Sequence, residues 1–287
     1  MMQQAALITL HGMGETDSGY ANKLLKTVLR QLGINAKQLH SNSVYYQDIL
    51  QQNEQRVWQA IGFRLRWNKL RRFMLFGFAD AAGLEHRKEA ENSSYLFAQL
   101  SIARALYVAK QQLSPSGKVV ILAHSLGGHV FSCYLWDAGC ARAGKKVTAG
   151  IWQNIRAYQA AISGDIPLTD DDIAFLQGNA LAGLITTGCN IPIFVAAHAM
   201  EQIVPITRPS PDFFWHNYYD KDDVLGWPLA DLSPGYQQLV TDYSINAGGG
   251  FFGWLAASWN PLSHNQYWQD KQIITAVTEQ LKKTISA

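Results

Sequence analysis

The sequence predicts an α/β protein: a doubly wound, mostly parallel sheet with helices on both faces and a helical, cap-like insert. Three observations lead there. Short apolar runs recur along the chain, separated by stretches with helical spacing, and that alternation builds parallel sheets. The run at 118–123, KVVILA, is apolar after its lysine and rich in β-branched residues, as a strand buried on both faces must be. Hydrophobic residues make up 48% and charged residues 16% of 287 residues, which is enough apolar material for one large core and too little charge for a disordered chain.

Taken in order, residues 5–10 (AALITL) form a first strand, ending in the tight loop His11-Gly12-Met13-Gly14. Thr16 or Asp17 suits the cap of a first helix and Gly33 its end. A second strand falls within 34–46. Residues 48–90 interleave aromatics with Arg and Lys, and at 100° per residue Phe63, Trp67, Leu70 and Met74 share one face of an amphipathic helix. A long helix over 93–112 leaves through Ser-Pro-Ser-Gly. After the strand at 118–123 comes a helix over 126–138. Further strands are expected at 182–187, 213–219 (FFWHNYY) and 239–245, with a mixed segment at 190–203 and a closing helix over 265–283.

The formal charge is +2, which gives no electrostatic reason to expect nucleic acid. Of the three cysteines, Cys133 and Cys140 are seven residues apart on one helix, roughly 10 Å by helical rise, too far for a disulfide, and Cys189 reads as a buried thiol. Free thiols, no basic stretch before the first apolar run and no run of about 20 apolar residues predict a soluble, cytoplasmic protein. No zinc-type cysteine spacing, HExxH helix or calcium loop occurs, so neither metal nor cofactor is expected.

Two glycine motifs lead nowhere. Gly12-Met-Gly14 starts like a dinucleotide fingerprint but has Asp17 at the sixth position, and Gly14 to Gly19 has P-loop spacing but is followed by Tyr20-Ala21. The segment Ala123-His124-Ser125-Leu126-Gly127 is different. It joins a strand to a helix, with small residues two positions either side of the serine, as a nucleophile elbow needs. A hydroxyl nucleophile requires a base and the base an orienting acid, in the chain order Ser, acid, His on this architecture. Of eight histidines only His264 follows every plausible acid. The acid belongs after a late strand, where Asp220, Asp222 and Asp223 stand together; Asp222 is preferred, then Asp223, then Asp220. The backbone N–H of Leu126, with that of Met13 or Gly12, would meet the negative charge developing on a carbonyl oxygen. His11 would brace that loop at the edge of the substrate site.

On these residues the chain resembles the α/β-hydrolase superfamily, in its lipase and esterase branch. The likeness is carried by LITLHGMG at 7–14, VVILAHSLGG at 119–128, YYDKDDVLGWPL at 218–229 and WNPLSHNQYW at 259–268. The family places its acid two residues before a Val or Ile, as Asp222 stands before Val224, and its histidine in a loop before the last helix. The segment 184–192 looks like a late-strand region that in such proteins often reads Gly-Ser-Pro; here Cys189-Asn190 intervenes and no role carries over. The resemblance implies one hydrolase domain over 1–287, lacking the first two strands of the fold, with the 48–90 insert as a cap. It implies hydrolysis of a carboxylic ester or lipid-like acyl substrate through Ser125, His264 and Asp222. Trp67 on the insert and Phe252 in the Gly-rich stretch before the histidine loop would line the substrate site. Segment 58–78 could instead meet an anionic membrane surface, a reading the sequence does not favour. A non-catalytic binding module, or a relative that breaks carbon–carbon or hydroxynitrile bonds with the same triad, would share these motifs.

Overall fold

The computed structural model describes residues 2–46, 48–64, 66–247 and 263–286. Strand β1 (Gln3–Leu10) leads to α1 (Asn22–Leu32) and β2 (Leu39–Val44). The insert follows as α2 (Asp48–Ile61) and α3 (Asn68–Glu85), then α4 (Ser94–Gln112), β3 (Leu113–His124) and α5 (Leu126–Arg142). Short helices α6 (Gln159–Ser163) and α7 (Asp170–Leu176) precede β4 (Leu181–Thr187). The chain ends with α8 (Ile191–Val195), β5 (Phe214–Asp220), α9 (Pro234–Leu239), β6 (Val240–Ile245) and α10 (Lys271–Ser286).

The six strands form one sheet in the order β2-β1-β3-β4-β5-β6, and every pairing is parallel. This is the doubly wound architecture that the sequence predicts. Side chains alternate across the sheet. Ala6, Ile8 and Leu10 of β1 and Val119, Ile121 and Ala123 of β3 enter a core shared with α4 and α5. Ala5 and Leu7 of β1 and Val120 and Leu122 of β3 enter a second core under α1 and α10. Both faces being covered explains why these strands read as unbroken apolar runs rather than as alternations.

From β1 the chain winds outward to β2 and then back across to β3, so β1 and β3 are neighbours whose connections leave in opposite directions. The crevice beyond the carboxyl ends of such a pair is where ligands sit in open α/β sheets. Leu10 and Ala123 are paired at that edge, so the loops starting at His11 and Ser125 open side by side.

Two elements differ from expectation. The stripe Phe63, Trp67, Leu70 and Met74 does not form, because the insert breaks between α2 and α3. Gly62 packs so tightly on Trp58 that a Cβ there would stand 2.7 Å from the indole, and Trp67 takes a left-handed φ of 63° before α3 starts. The buried stripe of α3 is instead Phe76, Asp80 and Leu84, one residue per turn. At the C-terminus a 3₁₀ turn over Ser263–Gln269 precedes α10, since the Asp270 carboxylate accepts the N–H groups of Gln272 and Ile273 at 2.8 and 3.2 Å and fixes the helix start there. Among the described residues no helix is long and apolar enough to cross a membrane.

Candidate active site

Ser125 follows directly on β3 and takes φ 52°, ψ −124°, a conformation costly for a residue with a side chain. The surroundings over-determine it. Its N–H donates to the Thr187 carbonyl at 2.8 Å, and its own carbonyl accepts the Gly128 N–H at 3.0 Å. A Cβ on Gly127 would stand 2.5 Å from the His11 carbonyl oxygen, so only glycine lets α5 start this close to β1.

The turn aims the hydroxyl at His264. Ser125 Oγ lies 2.6 Å from His264 Nε2, and His264 Nδ1 lies 2.8 Å from Asp223 Oδ2. All three residues are buried. With Nδ1–H donating to the carboxylate, the Nε2 lone pair faces the serine proton. The Asp223 carboxylate takes two further donors: the Tyr267 hydroxyl to Oδ2 at 2.9 Å and the Leu225 N–H to Oδ1 at 3.0 Å. Burial alone would raise this carboxyl, but the hydrogen bond and charge of His264, with the Leu225 and Tyr267 bonds, hold it below the usual carboxylate range.

The carboxylate that meets the imidazole is therefore that of Asp223, and the sequence-based choice of Asp222 is corrected. Asp222 is exposed, and its backbone N–H donates to Asp220 Oδ1 at 2.9 Å. Asp220 is buried but occupied elsewhere, since its Oδ2 accepts the Ala247 N–H at 2.6 Å. Tyr267 stands one 3₁₀ turn past His264, and its spacing from the histidine is its only signal in the sequence.

Gly12 lies against Ser125, where a Cβ would stand 2.6 Å from Ser125 Cβ. Leu126 opens α5, so its N–H is among those a helix leaves without an intrahelical acceptor. Met13 packs on the insert, its Sδ 2.6 Å from where a Cβ of Gly77 would be. Gly14 N–H donates to Asp80 Oδ2 at 2.8 Å, and Arg72 Nε to Glu15 Oε2 at 2.8 Å, so α3 grips this loop at three successive residues.

His11 is buried and hydrogen-bonded within the loop. Its Nδ1–H donates to the Gly12 carbonyl at 2.9 Å, its Nε2 accepts the Tyr46 N–H at 3.3 Å, and its ring stacks on that of Tyr46. Burial brings its pKa down to about 4 despite the Gly12 bond, so the ring is neutral at pH 7. His124 lies beside the triad, its ring centroid 4.8 Å from that of His264. Its Nδ1 is 3.0 Å from the Thr187 carbonyl, and burial, aided by His264, brings its pKa down to about 3. A neutral His124 adds no charge repulsion to an imidazolium at His264.

Trp67 is three-quarters exposed and lines an outer hollow between α2 and α3, away from the triad. Phe252 lies outside the described residues. Among those described, no cluster of His, Cys, Asp and Glu fits a metal ion, and the three cysteines are unpaired.

No protein-family model and no curated protein matches the chain. Solved structures are similar at low identity. An acetylxylan esterase aligns over 99% of this chain and 100% of its own, with 13% identity and a TM-score of 0.45. The catalytic core domain of acetyl xylan esterase from Trichoderma reesei aligns over 98% and 100%, with 12% identity and a TM-score of 0.43. A Xanthomonas campestris protein of the α/β superfamily of hydrolases aligns over 92% and 98%, with 15% identity and a TM-score of 0.32.

Proposed function

We propose that this chain is a serine hydrolase that cleaves carboxylic esters through an acyl-enzyme. One observation carries the reading: a serine in a left-handed elbow, an imidazole and a carboxylate lie in an unbroken hydrogen-bonded line, 2.6 and 2.8 Å from link to link. Ser125 Oγ attacks the ester carbonyl as its proton passes to His264 Nε2. Asp223 holds the imidazole in the tautomer that can accept that proton, and then faces the imidazolium. The oxyanion is met by the Leu126 N–H and by a donor from Gly12 or Met13. His264 returns the proton to the departing alcohol. Water repeats the sequence on the acyl-enzyme and frees the acid. Nothing in this route requires a cofactor.

The α2–α3 insert is the cap in this reading. Ser125 and His264 are each 1% exposed, so substrate reaches them only when a neighbouring segment moves. The insert meets the oxyanion loop at Met13, Gly14 and Glu15.

A fluorophosphonate probe tests the core of the proposal. One equivalent should label the protein, and Ser125→Ala should abolish labelling and ester hydrolysis together. A folded wild-type protein that stays unlabelled would instead be a non-catalytic binding module on this fold.

A further inference from the structure

The insert has two faces, and the candidate active site meets only one. Phe76, Gly77 and Asp80 of α3 turn inward, to the body and to the loop after β1. The outer face is apolar and open to solvent. Val57 and Ile61 stand one turn apart on α2, Met74 and Phe78 one turn apart on α3, and Phe63 and Trp67 lie on the link between the helices. All six are exposed, Phe63 by 74% and Trp67 by 75%. Beside them Trp58, Leu70 and Leu75 help to line a hollow of about 500 Å³. So many large apolar side chains exposed together mark a surface that something covers.

The charge on the segment points to the occupant. Residues 55–78 hold six Lys and Arg and no Asp or Glu, in a chain whose net charge is only +2. The nearest preceding acid, Glu54, is buried. Arg72 turns inward to Glu15. Arg56, Arg66 and Arg71 are exposed among the apolar side chains, and Arg71 borders the hollow. A second copy of the chain, meeting this face about a twofold axis, would set the same cations against each other. A folded acidic partner would need a matched shape, whereas fluid lipid covers projecting side chains without one. Exposed rings flanked by arginines suit the headgroup layer of a bilayer, where the rings enter the acyl boundary and the guanidinium groups stay at the phosphates.

We infer that this outer face docks on an anionic lipid surface, with Phe63, Trp67 and their aliphatic neighbours at the acyl boundary and Arg56, Arg66 and Arg71 on the headgroup phosphates. The break between α2 and α3 is what makes the face available. One continuous helix would have gathered Phe63, Trp67 and Met74 into a stripe able to pack on the body, and the break leaves all three outside. Docking is peripheral, since no described helix is long and apolar enough to cross a membrane. The inference goes beyond the serine-hydrolase reading and does not depend on it.

The experiment is co-sedimentation of the full chain with vesicles of mixed phosphatidylglycerol and phosphatidylcholine, against vesicles of phosphatidylcholine alone. The mixed vesicles should bind at least about tenfold more tightly, and the advantage should shrink as salt is raised. Arg66→Gln and Arg71→Gln should each weaken that binding about fivefold. Trp67→Asn, which keeps a residue tolerant of left-handed backbone, should weaken it by about tenfold. Ser125→Ala should bind as the wild type does, so a failed hydrolase reading leaves this one standing. No sedimentation with the mixed vesicles at low salt would overturn the inference and leave the face to a protein partner. Undiminished binding by the folded Trp67 and Arg variants would overturn it too, by placing the contact elsewhere. So would a lipid-free dimer, seen by analytical ultracentrifugation, that Trp67→Asn dissolves.

Discussion

Replacing Asp223 by asparagine changes one atom and leaves the shape intact, which makes its expected effect sharp. Three donors converge on the carboxylate: His264 Nδ1–H, the Tyr267 hydroxyl and the Leu225 N–H. An asparagine offers one oxygen and one NH₂. If the oxygen takes the Oδ2 position, the NH₂ opposes the Leu225 N–H, and an unpaired buried donor costs about 1–3 kcal/mol. If the NH₂ takes that position, the Leu225 bond survives, but His264 must turn to the tautomer whose Nδ1 accepts. Nε2 then carries the proton and cannot take the one on Ser125. The second arrangement keeps more bonds, so the variant should be folded and almost inactive. A wrong tautomer in such a triad lowers kcat by about 10⁴-fold, or roughly 5.4 kcal/mol at 1.36 kcal/mol per decade. Asp222→Asn alters an exposed side chain and should change kcat/KM by less than about twofold. Initial rates on a short-chain ester, with thermal melts to confirm folding, decide between them. A folded Asp223→Asn protein retaining more than about a tenth of wild-type kcat, or an Asp222→Asn loss of equal size, would refute the reasoning.

Two further outcomes are expected. Tyr267→Phe removes a donor to Asp223 Oδ2 and an acceptor of the Asp220 N–H at 2.9 Å. It should lower stability by about 1–3 kcal/mol and kcat by about tenfold; lost stability with unchanged kcat would make the tyrosine a scaffold only. Stability should also fall in mild acid. His11 and His124 are held by burial near pKa 4 and 3, against 6.5 in the unfolded chain, so between pH 6.5 and 4 the unfolded state binds protons that the folded state refuses. The linkage slope is about 1.4 kcal/mol per pH unit for each ring, and Glu54, whose carboxyl burial pushes up to about 9, offsets one of them over the same range, leaving a net fall of roughly 1.4. Urea denaturation at pH 7 and pH 5, repeated with Glu54→Gln to remove the opposing group, reads this directly, and equal stability of that variant at the two values would show that the rings are not buried neutral.

What the sequence could disclose about the fold follows from where the information lies. Strands buried on both faces announce themselves, as β3 does through VVILA. The elbow could be read because Gly127 and Ala123 are small for a local steric reason. The break between α2 and α3 could not, since its left-handed position is occupied by Trp67 rather than by a glycine or asparagine. Between α5 and β4, α7 carries a legible start: Thr169 Oγ1 accepts the Asp172 N–H at 3.1 Å, and the Asp172 carboxylate accepts the Thr169 N–H at 2.8 Å.

The choice among three neighbouring aspartates shows most clearly what one-dimensional reasoning lacks. Continuing β5 past Asp220 with a strand's period of two would put Asp222 on the same side as Asp220, in step with the family spacing to Val224. The strand instead stops at Asp220, and a turn closes there through the Asp223 N–H and the Asp220 carbonyl at 3.2 Å. The Asp220 side chain tightens that turn by accepting the Asp222 N–H, the local bond that suits aspartate to such positions. Parity is lost within the turn. Asp222 rides its outer corner into solvent, and Asp223 swings back beneath the sheet edge. There the two glycines Gly188 and Gly226 leave room for its carboxylate, since a Cβ on either would come within 3.2 or 2.6 Å of Oδ2. Those glycines come from different segments of the chain, so the recess that selects Asp223 exists only after both have packed. Filling it tests the same point from the other side. Gly226→Ala, with no change to any triad residue, should displace the carboxylate and depress ester turnover, whereas Val224→Ala, at an exposed position of the same loop, should not.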